Sequence, residues 1–311
     1  MPLDPYFAAK VDLIEGLDFS DLADPEKAGR VVEFSSEDGS WEEPGRVTID
    51  TVTLPSGDLN VTVRTYRPAG RLTGGLLWMH GGGFTSGDIN MPEAHVVAAE
   101  LADRGSVMVV SVDYRLAGDG IVYPAPVDDV VTGWQYLIEQ VGDDLPLAIG
   151  GASAGAALAL SGALRVKDET GRAADALLLA YPFVHFPVPA PSAELTEMMA
   201  GLPPLVRFSE PAIAGMVQSY VGRLTDIPPA ALPGAATLDG LPPTTIVLSE
   251  YDDLRPSGER LHQQLVDAGV PVSTYLSRGM LHGHLNRFPS LPEVEESLNT
   301  LARGVRPSAP R

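Results

Sequence analysis

No cysteine occurs among the 311 residues, which removes disulfides, a thiolate nucleophile and cysteine-ligated zinc at once. Basic residues are scarce: 21 Lys and Arg stand against 41 Asp and Glu, a net charge of -20. Such a charge repels polyanions and anionic membrane surfaces, so neither nucleic acid nor a membrane is an expected partner. The opening MPLDPYFAAKVDLIEG lacks a basic segment followed by a long apolar core, so no signal peptide is expected and the cytoplasm is the default location. Residues 145–164 carry no charge and have the length that a bilayer requires. They are nevertheless rich in Gly, Ala and Ser, and Pro146, Gly150 and Gly151 would interrupt a spanning helix. No internal repeat is evident.

What is present suits one large α/β unit with an accessory part: 44% of the residues are hydrophobic and 20% charged, enough to bury a sizeable core. Residues 1–45 hold a short amphipathic pattern at Phe7, Val11 and Ile14, followed by an acidic stretch through Trp41, which predicts a helix and a mobile connection. Alternating residues 46–54 and 59–68, separated by Pro55, Ser56, Gly57 and Asp58, predict an antiparallel hairpin. From Gly75 onward, short apolar runs (GLLWMH, SVMVVSV, LPLAIG, ALLLAYP, TTIVLS, VSTYLS) alternate with helical stretches, the signature of a mostly parallel sheet covered on both faces. The alternation fails once, at 184–240, where prolines cluster and only helical patches such as 209–224 remain. An insertion of that kind is expected over the carboxyl ends of the strands, where loops build sites.

One stretch organises the chemistry. Within LPLAIGGASAGAALALSGALRVK (145–167), Ser153 lies between Gly151 and Gly155, after an apolar run and before a helix expected to begin at Ala154. A strand, sharp turn and helix would present the Ser153 hydroxyl at the strand's end, and residues flanking so tight a turn have room for glycine only. A pattern needing only G, S and G arises by chance in roughly one chain in five of this glycine content, so the motif alone is weak. Upstream, a strand runs into His80, Gly81, Gly82, Gly83 and Phe84, whose amides a ligand can approach closely. The bland alternatives are a flexible turn, or a dinucleotide loop built on Gly81, Gly83 and Gly87. The latter is disfavoured because the next helix is expected only near Met91. Downstream, one strand ends in Glu250, Tyr251, Asp252 and Asp253, and the last ends in Arg278 to His284, so an acid and an imidazole reach the same sheet edge as the serine.

These motifs together resemble the hormone-sensitive-lipase-like branch of the α/β-hydrolases, the bacterial family IV esterases. The resemblance covers about residues 46–303. It is carried by His80-Gly81-Gly82-Gly83-Phe84, Val112-Asp113-Tyr114-Arg115-Leu116-Ala117, Gly151-Ala152-Ser153-Ala154-Gly155, Asp252-Asp253-Leu254-Arg255 and His282-Gly283. It implies an α/β-hydrolase fold: a mostly parallel eight-stranded sheet with helices on both faces, a core of 46–183 and 241–311, and a helical cap from 1–45 and 184–240. It implies Ser153 as nucleophile, His282 as base, Asp252 as its orienting acid, and the amides of Gly82, Gly83 and Ala154 as oxyanion donors. His80 would brace its loop. No cofactor or metal is implied.

The chain departs from the family pattern at Ala152 (usually Asp or Thr), Asp253 (usually Pro), His284 (usually Phe) and Gly118-Asp119 (usually Pro-Glu). Asp252 is preferred to Asp253 because it aligns with the motif's leading acid. The expected function is a serine carboxylesterase acting on short- to medium-chain esters of small molecules, as a monomer or homodimer. The alternatives are a non-catalytic small-molecule receptor on this scaffold, and an amidase or peptidase using the same triad. A compact acyl pocket is expected from Leu195, Met198, Met199, Leu205, Phe208, Met216, Val217 and Tyr220.

Overall fold

A computed structural model describes residues 2–305 apart from 19, 20, 22, 37, 38, 58 and 143. Asp58 of the expected hairpin turn and the tail 306–311 therefore lie outside the described residues. Among these residues there is one eight-stranded sheet in the order β1-β2-β4-β3-β5-β6-β7-β8. The strands are β1 (Val47–Ser56), β2 (Leu59–Pro68), β3 (Gly75–Met79), β4 (Met108–Asp113), β5 (Leu147–Ala152), β6 (Ala176–Ala180), β7 (Thr244–Tyr251) and β8 (Val272–Leu281). β1 pairs antiparallel with β2, and β2 with β4; every later pair is parallel.

Successive strand residues point to opposite faces, and both faces are dry. Leu77 and Met79 of β3 join a core with α4 (Ala125–Val141), α5 (Ala154–Thr170) and α8 (Arg255–Asp267). Leu76 and Trp78 join a second core with α3 (Pro92–Gly105) and α9 (Pro292–Gly304). Two covered faces explain why these strands read as continuous apolar runs instead of alternating ones. Among the described residues no helix is long and apolar enough to cross a membrane.

Two elements differ from the sequence expectation. The stretch expected as a mobile connection contains α2 (Pro25–Ser35), beyond α1 (Pro5–Lys10) and a 3₁₀ turn at Val11–Ile14. Asp24 caps α2 by accepting from the Glu26 amide at 2.9 Å, and Pro25 occupies its first turn. Those signals are legible, but α2 buries only Phe34, with Val31 packed beside it, too narrow an apolar face to announce a helix. The last strand is also longer than the run 272–277. A register shift between Ser249 and Tyr251 of β7 lets β8 continue to Leu281, which pairs with Tyr251.

The 184–240 segment forms α6 (Ala193–Ala200), α7 (Glu210–Val221) and short 3₁₀ turns at Pro204–Val206 and Pro233–Ala235. A third apolar cluster joins Phe7, Ile14 and Phe34 of the N-terminal segment to Leu195 and Met199 of α6. The amide of Asp4 also donates to the carbonyl of Gly279 in β8.

Candidate active site

Ser153 follows the last residue of β5 and precedes the first residue of α5. Its φ of 55° and ψ of -117° are unusual for a residue with a Cβ. The turn is held from both sides: the Ser153 amide donates to Ala180 of β6 at 2.9 Å, and the Ser153 carbonyl accepts from Ala156 at 3.0 Å. A methyl on Gly151 would collide with the Gly155 backbone, and one on Gly155 with the carbonyls of Met79 and His80. Both glycines are therefore required by close approach.

The acid and imidazole arrive through strand register. Tyr251 and Leu281 are paired ends of β7 and β8, so the next residue on each, Asp252 and His282, emerge side by side. His282 Nδ1 lies 2.8 Å from Asp252 Oδ2, and His282 Nε2 lies 2.8 Å from Ser153 Oγ. Since the carboxylate only accepts, the ring proton belongs on Nδ1, leaving Nε2 to accept from the serine hydroxyl. Asp252 is buried, and its Oδ1 accepts from the Leu254 amide at 2.8 Å. Burial works against a charged His282, but the anionic Asp252, helped by Glu93 and Asp253, outweighs it and holds the imidazole above its ordinary value. His284, two residues on, has the opposite fate. Its nitrogens meet the hydroxyls of Ser249 and Ser297 at 2.9 Å each, and burial, with the charge of His282, drives it down to about 3.

Gly82 and Gly83 line the same cavity as Ser153 and His282, about 750 Å³ in volume. Both adopt positive φ, 112° and 61°, and a Cβ on Gly82 would overlap the Ser86 carbonyl. Ala154 contributes the first amide of α5, a position with no partner inside a helix. His80 stacks on Tyr114 with ring centroids 4.4 Å apart, and its Nδ1 lies 2.6 Å from the Gly81 carbonyl, so it sits under the loop and not in the cavity. Asp253 does not meet the imidazole; its carboxylate pairs with Arg207. Among the described residues no group of His, Asp and Glu is arranged to hold a metal ion.

A family model described as the α/β-hydrolase fold matches residues 76–286. The chain belongs to the α/β-hydrolase family. Within it, the five motifs fall in the hormone-sensitive-lipase-like branch. Esterase LipI of Mycobacterium tuberculosis is 36% identical over 237 residues, 72% of this chain and 69% of the relative. Carboxylesterase NlhH of the same organism is 33% identical, covering 71% and 70%. Among solved structures, an esterase of Pyrobaculum calidifontis superposes with a TM-score of 0.77 at 28% identity over 98% of each chain. A bacterial heroin esterase does so with 0.78, at 28% identity and the same coverage.

This α/β-hydrolase site also uses residues to which sequence analysis assigned no role. Glu93, at the start of α3, is 2% exposed. One of its oxygens accepts from the Gly81 amide at 2.6 Å, and the other accepts from the Tyr181 hydroxyl at 2.5 Å. Tyr181 follows β6, between the serine and the acid, and its ring stands edge-on to His282 at 4.9 Å. The hydroxyl of Tyr114 donates to the His80 carbonyl at 3.0 Å and so holds the same loop. The one advance signal for Glu93 was an acid in the first turn of a helix opened by Pro92, which more often marks a solvated cap. Of the eight expected pocket walls, Leu205, Phe208 and Met216 line the cavity. Leu195, Met198 and Met199 pack instead in the cluster with the N-terminal segment, and Val217 and Tyr220 on the main core, where Tyr220 stacks on Phe84 at 3.9 Å.

Proposed function

We propose that this protein is a serine carboxylesterase that works through an acyl-enzyme, with Ser153 as nucleophile, His282 as general base and Asp252 orienting it. The observation that carries the reading is the continuous chain of 2.8 Å contacts from Asp252 through His282 to Ser153 on the floor of a cavity. Ser153 Oγ attacks the ester carbonyl while its proton passes to His282 Nε2, and the imidazolium that forms is stabilised by Asp252. The carbonyl oxygen becomes an oxyanion beside the amides of Gly82, Gly83 and Ala154, which are already held in place and so need no reorganisation. The imidazolium then protonates the departing alcohol, and water, activated by the same imidazole, releases the acid.

The relatives' names support ester substrates over amides. The bonded imidazole supports turnover over a receptor that only binds. The 184–240 segment and the N-terminal residues supply Ser35, Leu205, Arg207, Phe208, Ala212 and Met216 to the cavity, which favours a cap that encloses a small ester and leaves no open face for lipid. Short to medium acyl chains are the substrate class that fits such a chamber.

The test is Ser153→Ala. Ester turnover should drop by about 10⁴- to 10⁶-fold with unchanged circular dichroism and melting. In the wild type, an organophosphonate should label once, at Ser153. Retained turnover, or a label mapped to another serine, would refute the assignment.

A further inference from the structure

Asp253 stands directly after the proposed triad acid, at a position where the resembled family carries proline, and it engages the 184–240 segment. Its Oδ2 accepts from Arg207 Nε and from the Phe208 amide, both at 2.8 Å, and its Oδ1 accepts from Arg207 Nη2 at 3.0 Å. Arg207 Nη1 donates in turn to the Met199 carbonyl of α6 at 2.6 Å. The pair is only partly open to solvent, 30% for the Arg207 side chain and 18% for Asp253, and its two parallel bonds define one geometry. What this clamp holds in place is Phe208, whose ring stands edge-on to the His282 imidazole at 4.7 Å and 72°.

Arg207 and Phe208 face two spaces. One is the chamber of Ser153 and the glycine loop; the other is a recess of about 200 Å³ lined by Phe7, Phe34, Leu281 and His282, which Ser153, Gly82 and Gly83 do not line. We propose that this recess takes the alcohol half of the ester and that Asp253 is a positioning residue for it, holding Phe208 through Arg207 as the partition that decides which alcohols fit. The inference rests on the esterase reading. In acylation the bond between Ser153 Oγ and the acyl carbon forms, the bond from that carbon to the alcohol oxygen breaks, and the serine proton travels through His282 to that oxygen. The alcohol oxygen must therefore lie beside His282 Nε2, while the carbonyl oxygen is occupied with the glycine loop. That oxygen lies in the chamber, but its substituent points away from the glycine loop, and the recess across Phe208, which His282 also lines, is the space into which it extends.

The two half-reactions give the test. Once acylation is over the alcohol has gone, so a residue that acts on the alcohol alone changes acylation and leaves deacylation untouched. A residue that merely supports the triad changes both. We would compare wild type with Asp253→Asn, Arg207→Met and the double variant, measuring kcat/KM for methyl and benzyl butyrate. Deacylation is read as return of activity after acylation by p-nitrophenyl trimethylacetate. Freeing Phe208 should raise the benzyl-to-methyl ratio about tenfold in either single variant. The double variant should show no more than one single, because both break the same clamp. Deacylation, measured on the alkaline plateau where losing the Asp253 charge near His282 has no effect, should stay within about twofold of wild type in all of them. Arg207→Met reads the clamp from its other end should Asp253→Asn fold poorly. An unchanged ratio, additive effects, or a parallel loss of deacylation each overturns the proposal. Phosphonate labelling at Ser153 tests the esterase reading separately, so a labelled enzyme with an unchanged ratio sinks only the role of Asp253.

Discussion

The floor of the Ser153 cavity consists of strand ends joined by backbone hydrogen bonds, whereas its roof consists of side chains from 184–240 and the N-terminal segment. In the floor, the Ser153 amide is tied to Ala180, and the pairing of Tyr251 with Leu281 dictates where Asp252 and His282 begin. In the roof, Phe208 is held by one ion pair, and Met216 reaches over Gly83 only because that glycine has no side chain. A ladder of peptide bonds leaves little freedom, so reacting atoms can be held within a few tenths of an ångström. Side-chain contacts are fewer and singly replaceable. The difference implies that changes in the floor should abolish chemistry and changes in the roof should redirect it.

The largest effect that would sharpen this contrast is expected at Asp252. Asp252→Asn should lower kcat/KM by up to about 10⁴-fold, because an amide no longer holds the imidazole in the tautomer that accepts the serine proton. The same substitution has a signed effect on pH dependence. Only neutral His282 accepts that proton, so kcat/KM falls as pH drops through its value, which Asp252 holds above the ordinary 6.5. Removing the carboxylate leaves burial, which disfavours the cation, and the acid limb should move to lower pH. A limb that stays in place in the pH profile of the variant would mean that another group governs it.

A smaller effect is expected in the roof. Each methylene buried in an enclosed chamber contributes about 0.8 kcal/mol, so kcat/KM should rise by up to roughly fourfold per acyl carbon until the wall of Leu205, Phe208 and Met216 is met. With p-nitrophenyl esters of about two to about sixteen acyl carbons, the optimum should fall between acetyl and hexanoyl, with no jump in rate past the solubility limit. An optimum at twelve carbons or longer would make the roof an open lipid-binding face.

The smallest effect on turnover is expected at His284. With His284 driven down to about 3 by burial, it stays neutral throughout the working range and takes no part in the pH profile. His284→Ala should change kcat/KM by less than about tenfold, yet cost about 1–3 kcal/mol of stability by removing the imidazole that the buried Ser249 hydroxyl bonds, while Ser297 keeps Ser277 and the Glu293 carbonyl. Chemical denaturation alongside kinetics checks both halves. A loss comparable to that of Asp252→Asn would show that the floor extends one layer deeper than the triad.

Much of the floor is legible in the chain itself. Strand runs such as ALLLA, the start of α5 at Ala154 and the glycines around Ser153 all declare themselves, because apolar periodicity and steric need are local properties. Less legible was α2, whose capping signals were present but whose apolar face is limited to Val31 and Phe34. The extent of β8 was hidden too, since its continuation to Leu281 depends on a register shift in its neighbour β7.

From sequence alone came the succession of eight strands, the turn that needs Gly151 and Gly155, and an order of serine, acid and histidine at successive strand ends, all set by short-range sterics and hydrophobic pattern. Beyond the preference for Asp252 that motif alignment supplied, tertiary structure decided the partners. It assigned Asp252 to the imidazole and Asp253 to Arg207, and brought Glu93 and Tyr181 together across the site. It also turned Leu195 and Met199 toward Phe7 and Phe34 instead of the cavity. Adjacent carboxylates carry the same local signal, and an apolar side chain carries no address; what distinguishes them is which group, scores of residues away, the packed sheet and the 184–240 segment bring within bonding distance.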